Sequence, residues 1–186
     1  MSETPEVPST ERSPREWALA VCTSEIDTHL TAIPWDGQVY LFALIRTAEA
    51  LASDPAFAAE APAHVRAEAE ENPEHLTAVV QDNLPAVETT EELLATIAWP
   101  QAVHGAAIAL ERIVLPPQAE AELGANPSPE DYLTHPDRED VRMVVSALRT
   151  GETWSVIRMR HHDDEVLGGA NLVPQLTEAL HATLRD

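Results

Sequence analysis

The sequence predicts an α+β fold: a single two-layer domain, a mainly antiparallel sheet with helices packed on one face. Three observations carry this expectation. Residues 141–148 and 153–160 are β-rich runs around Arg149-Thr150-Gly151-Glu152, the pattern of a hairpin with glycine at its turn. A third strand-like run, 103–115, precedes them without a strong helical pattern between, so consecutive strands late in the chain point to antiparallel pairing. Apolar stripes at helical spacing open and close the chain: Leu19, Cys22, Ile26, Leu30 and Ile33, then Leu172, Leu176, Leu180 and Leu184.

The elements follow in order. Residues 1–12 are rich in Ser, Thr, Pro and Glu with little to bury, and read as a disordered acidic tail ahead of a domain spanning 13–186. Ser13-Pro14-Arg15-Glu16 supplies a capping Ser, a Pro at the first helical position and a Glu three residues after the cap. The helix it opens runs to Pro34, with Glu25 and Asp27 falling off the apolar stripe, and Trp35-Asp36-Gly37 makes a turn. Residues 38–45 form a mostly buried strand, and Thr47 caps a short helix ending near Asp54-Pro55. The Ala- and Glu-rich stretch 56–71 reads as a loosely packed surface helix, and 76–81 as an edge strand. Thr89-Thr90-Glu91-Glu92 opens a helix burying Leu93, Leu94 and Ile97, stopped by Trp99-Pro100. The run 103–115 is apolar on both faces at first and charged at Glu111-Arg112, which suits a central strand whose far end reaches solvent. Five prolines then mark 116–140 as a long acidic loop. After the hairpin, 161–165 reads as a polar connection, Gly168-Gly169 as a tight turn, and Asn171 as the cap of the last helix.

Composition narrows the function. Hydrophobic residues make up 44% of the 186, enough for a core, but 32 acidic against 11 basic residues give a formal net charge of −21. All eleven basic residues are Arg, so Schiff-base chemistry, a phosphate-loop lysine and a lysine general base are excluded. The field repels phosphates and anionic lipid, so neither nucleic acid nor a membrane surface is the expected partner. The single Cys22 cannot pair within the chain, the start is acidic and polar, and no apolar run reaches the roughly 18 residues a spanning helix needs; together these predict a soluble cytoplasmic protein.

Candidate chemistry is sparse. His161, His162 and Asp163, with His135 and Asp137 from a second segment, are residue types that hold a divalent ion, although adjacent residues on a strand point to opposite faces. Cys22 sits on the apolar stripe of the first helix as a small core residue. No Ser stands in a Gly-x-Ser-x-Gly elbow, and 168–171 lacks a phosphate-binding glycine pattern, so no catalytic residue and no cofactor are assigned. Arg142, Arg158 and Arg160 form the one basic concentration, able to grip a carboxylate, a phosphate or an acidic partner segment, or else to neutralise the protein's own excess acid.

Four stretches, 35–51 (WDGQVYLFALIRTAEAL), 97–120 (IAWPQAVHGAAIALERIVLPPQAE), 135–149 (HPDREDVRMVVSALR) and 167–184, resemble an uncharacterised family of small conserved actinobacterial proteins. The resemblance implies an actinobacterial cytosolic protein and transfers no functional residue. In layout the chain is also similar to secretion-chaperone-like modules that hold partner segments, a likeness of fold only. The leading expectation is a non-enzymatic protein-interaction or accessory module, in keeping with a homodimer. It docks a protein partner on Arg142, Arg158 and Arg160 or on the proline-rich loop. The alternative is a metal-dependent hydrolase built on His135, His161, His162 and Asp163; a charge-based mimic of nucleic acid is a third reading.

Overall fold

Ser13 accepts a hydrogen bond from Glu16 N–H at 3.2 Å and Pro14 takes the first helical position, so α1 (Pro14–Leu30) starts where the capping signal falls. In this computed structural model, which describes residues 11–185, β1 (Tyr40–Arg46) leads straight into α2 (Thr47–Ser53). Asp54 caps α3 (Pro55–Glu60), and α4 (Ala63–Glu71) follows, the Ala- and Glu-rich stretch being broken at Pro62. Next come β2 (Leu76–Val80), α5 (Thr90–Ala95) behind its Thr89 cap, and β3 (Gly105–Val114). The chain then runs through α6 (Pro117–Glu122), α7 (Pro129–Thr134), β4 (Glu139–Leu148), β5 (Thr153–Met159), β6 (His162–Gly169) and α8 (Pro174–Ala182). The six strands form one sheet in the order β2-β1-β3-β4-β5-β6, antiparallel throughout. No helix among the described residues is long and apolar enough to cross a membrane.

The α+β class and the antiparallel sheet stand, and the expected helix layer is present as α1. The opposite face is covered too. On the α1 side Leu19, Cys22, Ile26 and Leu30 pack on Phe42, Leu44, Ala107, Ala109, Val144 and Val156. On the other side Leu94 of α5 and Leu176, Leu180 and Leu184 pack on Leu41, Ala106, Ile108, Leu110, Val145 and Ala147. The sandwich therefore has three layers, because β3 and β4 are apolar at successive positions and neither face can be left to water. Arg149, expected in the hairpin turn, reaches across to Val103 O (2.8 Å), Trp99 O (3.0 Å) and Leu184 O, tying α8 to the strand ends.

Gly105 of β3 lies tight against β4: a Cβ there would stand 2.5 Å from Ala147 O and 3.3 Å from Leu148 Cα. Backbone cannot swing aside as a side chain can. Gly105→Ala is expected to lower stability by about 2 kcal/mol, within the usual cost of overpacking, and chemical denaturation measures it.

Four local expectations differ. Residues 162–169 form strand β6, not a connection and a turn, because backbone pairing with β5 extends the sheet whatever the side chains. The 116–140 segment holds two short helices, one started by Pro117 and one by the Ser128-Pro129 cap. Asn171 adopts φ +60° in a turn, and the last helix begins at Pro174 behind Val173. Asp27 is buried against the sheet. Of the expected tail, residues 1–10 lie outside the described residues, while the Arg12 guanidinium sits 4.5 Å over the Trp154 ring.

Candidate functional site

The three arginines singled out by sequence lie on the α1 side of the hairpin but in different environments. Arg142 and Arg158 are register partners across β4 and β5. Arg142, its side chain 3% exposed, donates to Leu30 O at 2.5 Å, Pro34 O at 3.1 Å, Ile33 O at 3.4 Å and Glu111 Oε1 at 2.9 Å. It thereby gives the last carbonyl of α1, which already accepts from Ile33 N–H at 3.0 Å, a second donor and carries positive charge to the negative end of the helix dipole. Arg158 donates to the Asp27 carboxylate through Nε at 3.2 Å and Nη2 at 2.6 Å. Both arginines serve the helix–sheet interface.

Arg160 is different. It sits just past the end of β5, with its side chain 46% exposed, and meets Asp140 at 3.4 Å, a long contact for an ion pair. It lines a cleft of about 620 Å³ beside Trp35, Arg112, Ile113, Tyr132 and Leu133, with Pro127 and Pro129 in the wall. The cleft exists because β3 and β4 pair out to Val114 and Glu139, and the proline-rich segment folds back as α7 beside β3. Ser128 and Asp131 fix that return: Ser128 accepts from Asp131 N–H at 3.3 Å, while Asp131 accepts from Ser128 N–H at 2.7 Å. The Ser128 N–H and, at 2.8 Å, the Ser128 hydroxyl donate to the Asp131 carboxyl and hold it below its ordinary range.

Trp35 forms the floor. Arg142 lies 4.6 Å from its ring centroid and Arg160 5.7 Å, so two guanidinium groups attend one indole. Glu111 anchors the turn that carries Trp35 by accepting from Gly37 N–H at 2.9 Å through Oε2. The other cation in the cleft, Arg112, has its nearest carboxylate, Glu91, 4.0 Å away. Exposed guanidinium, aromatic rings and proline walls together suit a ligand with a carboxylate beside an apolar group. Sequence alone ranked Arg160 with Arg142 and Arg158 and did not single out Trp35, Tyr132 or Arg112.

The metal candidates are spread over two segments. His135 ends α7 and accepts from Asp137 N–H at 3.1 Å through Nδ1; His161 and His162 are exposed where β5 turns into β6; the side chain of Asp163 lies outside those described. Among the described residues no three His, Cys, Asp or Glu side chains are placed to hold a metal ion. Cys22 is buried, and burial first, with Glu25 adding repulsion, pushes its thiol up to about 12, the opposite of a reactive thiolate.

These features define a small α+β protein: one antiparallel sheet between helical layers, with a ligand-sized cleft where the proline-rich segment returns to the hairpin. The chain belongs to the PPA1309-like protein family, whose family model matches residues 19–185. No curated protein and no solved structure matches the chain.

Proposed function

We propose that this protein is a non-enzymatic interaction module that receives a segment of a partner protein in the Trp35 cleft. The segment presents a carboxylate to Arg160 and Arg112 and lays an apolar or proline side chain on Trp35 and Tyr132. One observation carries the reading: Arg160 and Arg112, whose own carboxylates stand 3.4 and 4.0 Å away, both line the aromatic cleft. A guanidinium held that loosely is available for a two-pronged bond to an incoming carboxylate. Arg142, which sequence reasoning grouped with Arg158 and Arg160, supports the cleft from behind by fixing Trp35. The compartment proposed is the cytoplasm of an actinobacterium, in keeping with a lone cysteine, no Lys, and abundant Ala and Arg.

Affinity capture from native lysate tests this by comparing the wild-type chain with Arg112→Glu/Arg160→Glu. Both side chains are exposed, so the variant is expected to fold normally. A partner retained by wild type and reduced about tenfold or more on the variant is the expected outcome, the size of effect two charged interface anchors produce. Equal retention by both, or no partner on either, overturns the proposal.

A further inference from the structure

A second surface lies at the far edge of the sheet, away from the cleft. β6 is the last strand in the sheet order, and beside it the α1 face of the sheet opens into a groove of about 740 Å³. Trp17, Val21, Trp154, Val156, Val166 and Gly168 line it. Trp17 is 55% and Val166 45% exposed, a sizeable apolar area for a chain this acidic. Arg12 stacks over Trp154 at 4.5 Å and Trp17 at 5.8 Å within the groove. Glu25 stands on its rim.

The strand itself is divided. Met159 pairs with His162, but Arg158 pairs with Val166, so Asp163, Asp164 and Glu165 are extra residues bulged out of the ladder. From Val166 to Gly169 the pairing is regular, and there the side chains are apolar or missing. Gly168 lies beside the Trp154 indole: a Cβ at that position would make an ordinary contact with the ring, at 3.6 Å. The edge therefore offers four regular positions with an apolar groove at their side, preceded in the chain by the acidic run 163–165.

Charge decides what can add to such an edge. A second copy would bring its own acidic run and a further net charge of −21, so self-pairing is opposed at short and long range. The chain's own residues 1–10 carry Glu3 and Glu6 and no basic residue, and Pro5 and Pro8 have no N–H to give a ladder. A basic segment is drawn by the field and matched by the bulge. We infer that β6 accepts an extended segment of another protein as a seventh, antiparallel strand, apolar where it passes Gly168 and Val166 and basic where it passes 163–165. Backbone bonds to the edge supply the affinity, while the groove and the carboxylates select the sequence. The surface is separate from the Trp35 cleft and does not depend on its reading.

Two capped peptides test it by calorimetry with the whole protein: Thr-Val-Thr-Val-Arg-Arg-Arg, and the same composition with its halves exchanged, Arg-Arg-Arg-Thr-Val-Thr-Val. Antiparallel addition puts valines over the groove and arginines beside the acidic bulge in the first peptide only. It is expected to bind about tenfold or more tightly than the second, and to slow hydrogen exchange of amides within 166–169. Gly168→Leu, which fits because the added Cβ makes an ordinary contact with Trp154, fills the groove and is expected to weaken binding about tenfold without altering the fold. Equal binding of the two peptides marks attraction to an acidic protein in general and overturns the inference. So do preference for the exchanged peptide, absence of binding, protection confined to other amides, or undiminished binding by Gly168→Leu.

Discussion

Asp27→Ala is expected to destabilise the protein by about 3 kcal/mol, read as a lowered urea midpoint at unchanged slope. Asp27 lies four residues after Thr23, so one turn of α1 aims both polar side chains at the sheet. Thr23 meets Ser146, and Asp27 takes Arg158 through two of its guanidinium nitrogens. The Asp27 side chain is 3% exposed while Arg158 keeps 15%. Removing one member of a buried pair costs about 3–5 kcal/mol, and the residual exposure of the arginine sets the expectation at the lower end. The double variant Asp27→Leu/Arg158→Met separates the causes. If charge burial dominates, the apolar pair restores most of the loss, because a well-packed substitute avoids desolvating two ions. A double variant as weak as the single would assign the loss to packing.

That pair also shows where the sequence was readable. The stripe of Leu19, Cys22, Ile26 and Leu30 located α1 and its buried face correctly. Asp27 falls beside the stripe, and only the arrival of Arg158 from a strand 131 positions away makes its burial tolerable. Local signals were legible wherever they were used. Ser13-Pro14 with Glu16 marked a helix start, and Ser128-Pro129 with Asp131 carries the same signal inside a segment whose prolines suggested only a loop. β6 was less legible. His162, Asp164 and Glu165 look like a solvated connection because their side chains are, yet strand pairing is a property of the backbone and asks nothing of residues on an exposed edge. The candidate cleft was half legible. Arg160 announced itself as charge on a hairpin, but which arginine stays accessible depends on where α1 lies across the sheet. Trp35 and Tyr132 become neighbours only when the proline-rich segment folds back.

The loss from Arg142→Met is expected to be larger, about 4 kcal/mol, although the substitute fills most of the same volume with apolar atoms. Arg142, its own side chain 3% exposed, donates to three backbone acceptors, Leu30 O at the end of α1 and Ile33 O and Pro34 O just beyond it, and to Glu111. Methionine leaves Glu111 without its guanidinium and takes from Ile33 O, Pro34 O and Leu30 O the donor that Arg142 supplies, Leu30 O keeping only the Ile33 N–H, in part-buried surroundings where an unmade hydrogen bond is expensive. Arg142→Lys distinguishes charge from geometry. An ammonium restores the positive charge but is a compact point at the end of a flexible stem. It cannot span acceptors that Nη1 and Nη2 reach together, nor lie flat against Trp35 as the guanidinium does at 4.6 Å. If the fork geometry matters, lysine recovers less than half of the loss, and Trp35 emission shifts to the red as the ring loses its cover. If charge alone holds the α1 terminus, lysine recovers nearly all of it and the emission stays put. The first outcome is expected, because the four acceptors are spread along residues 30 to 34 and Glu111, wider than a single nitrogen can serve.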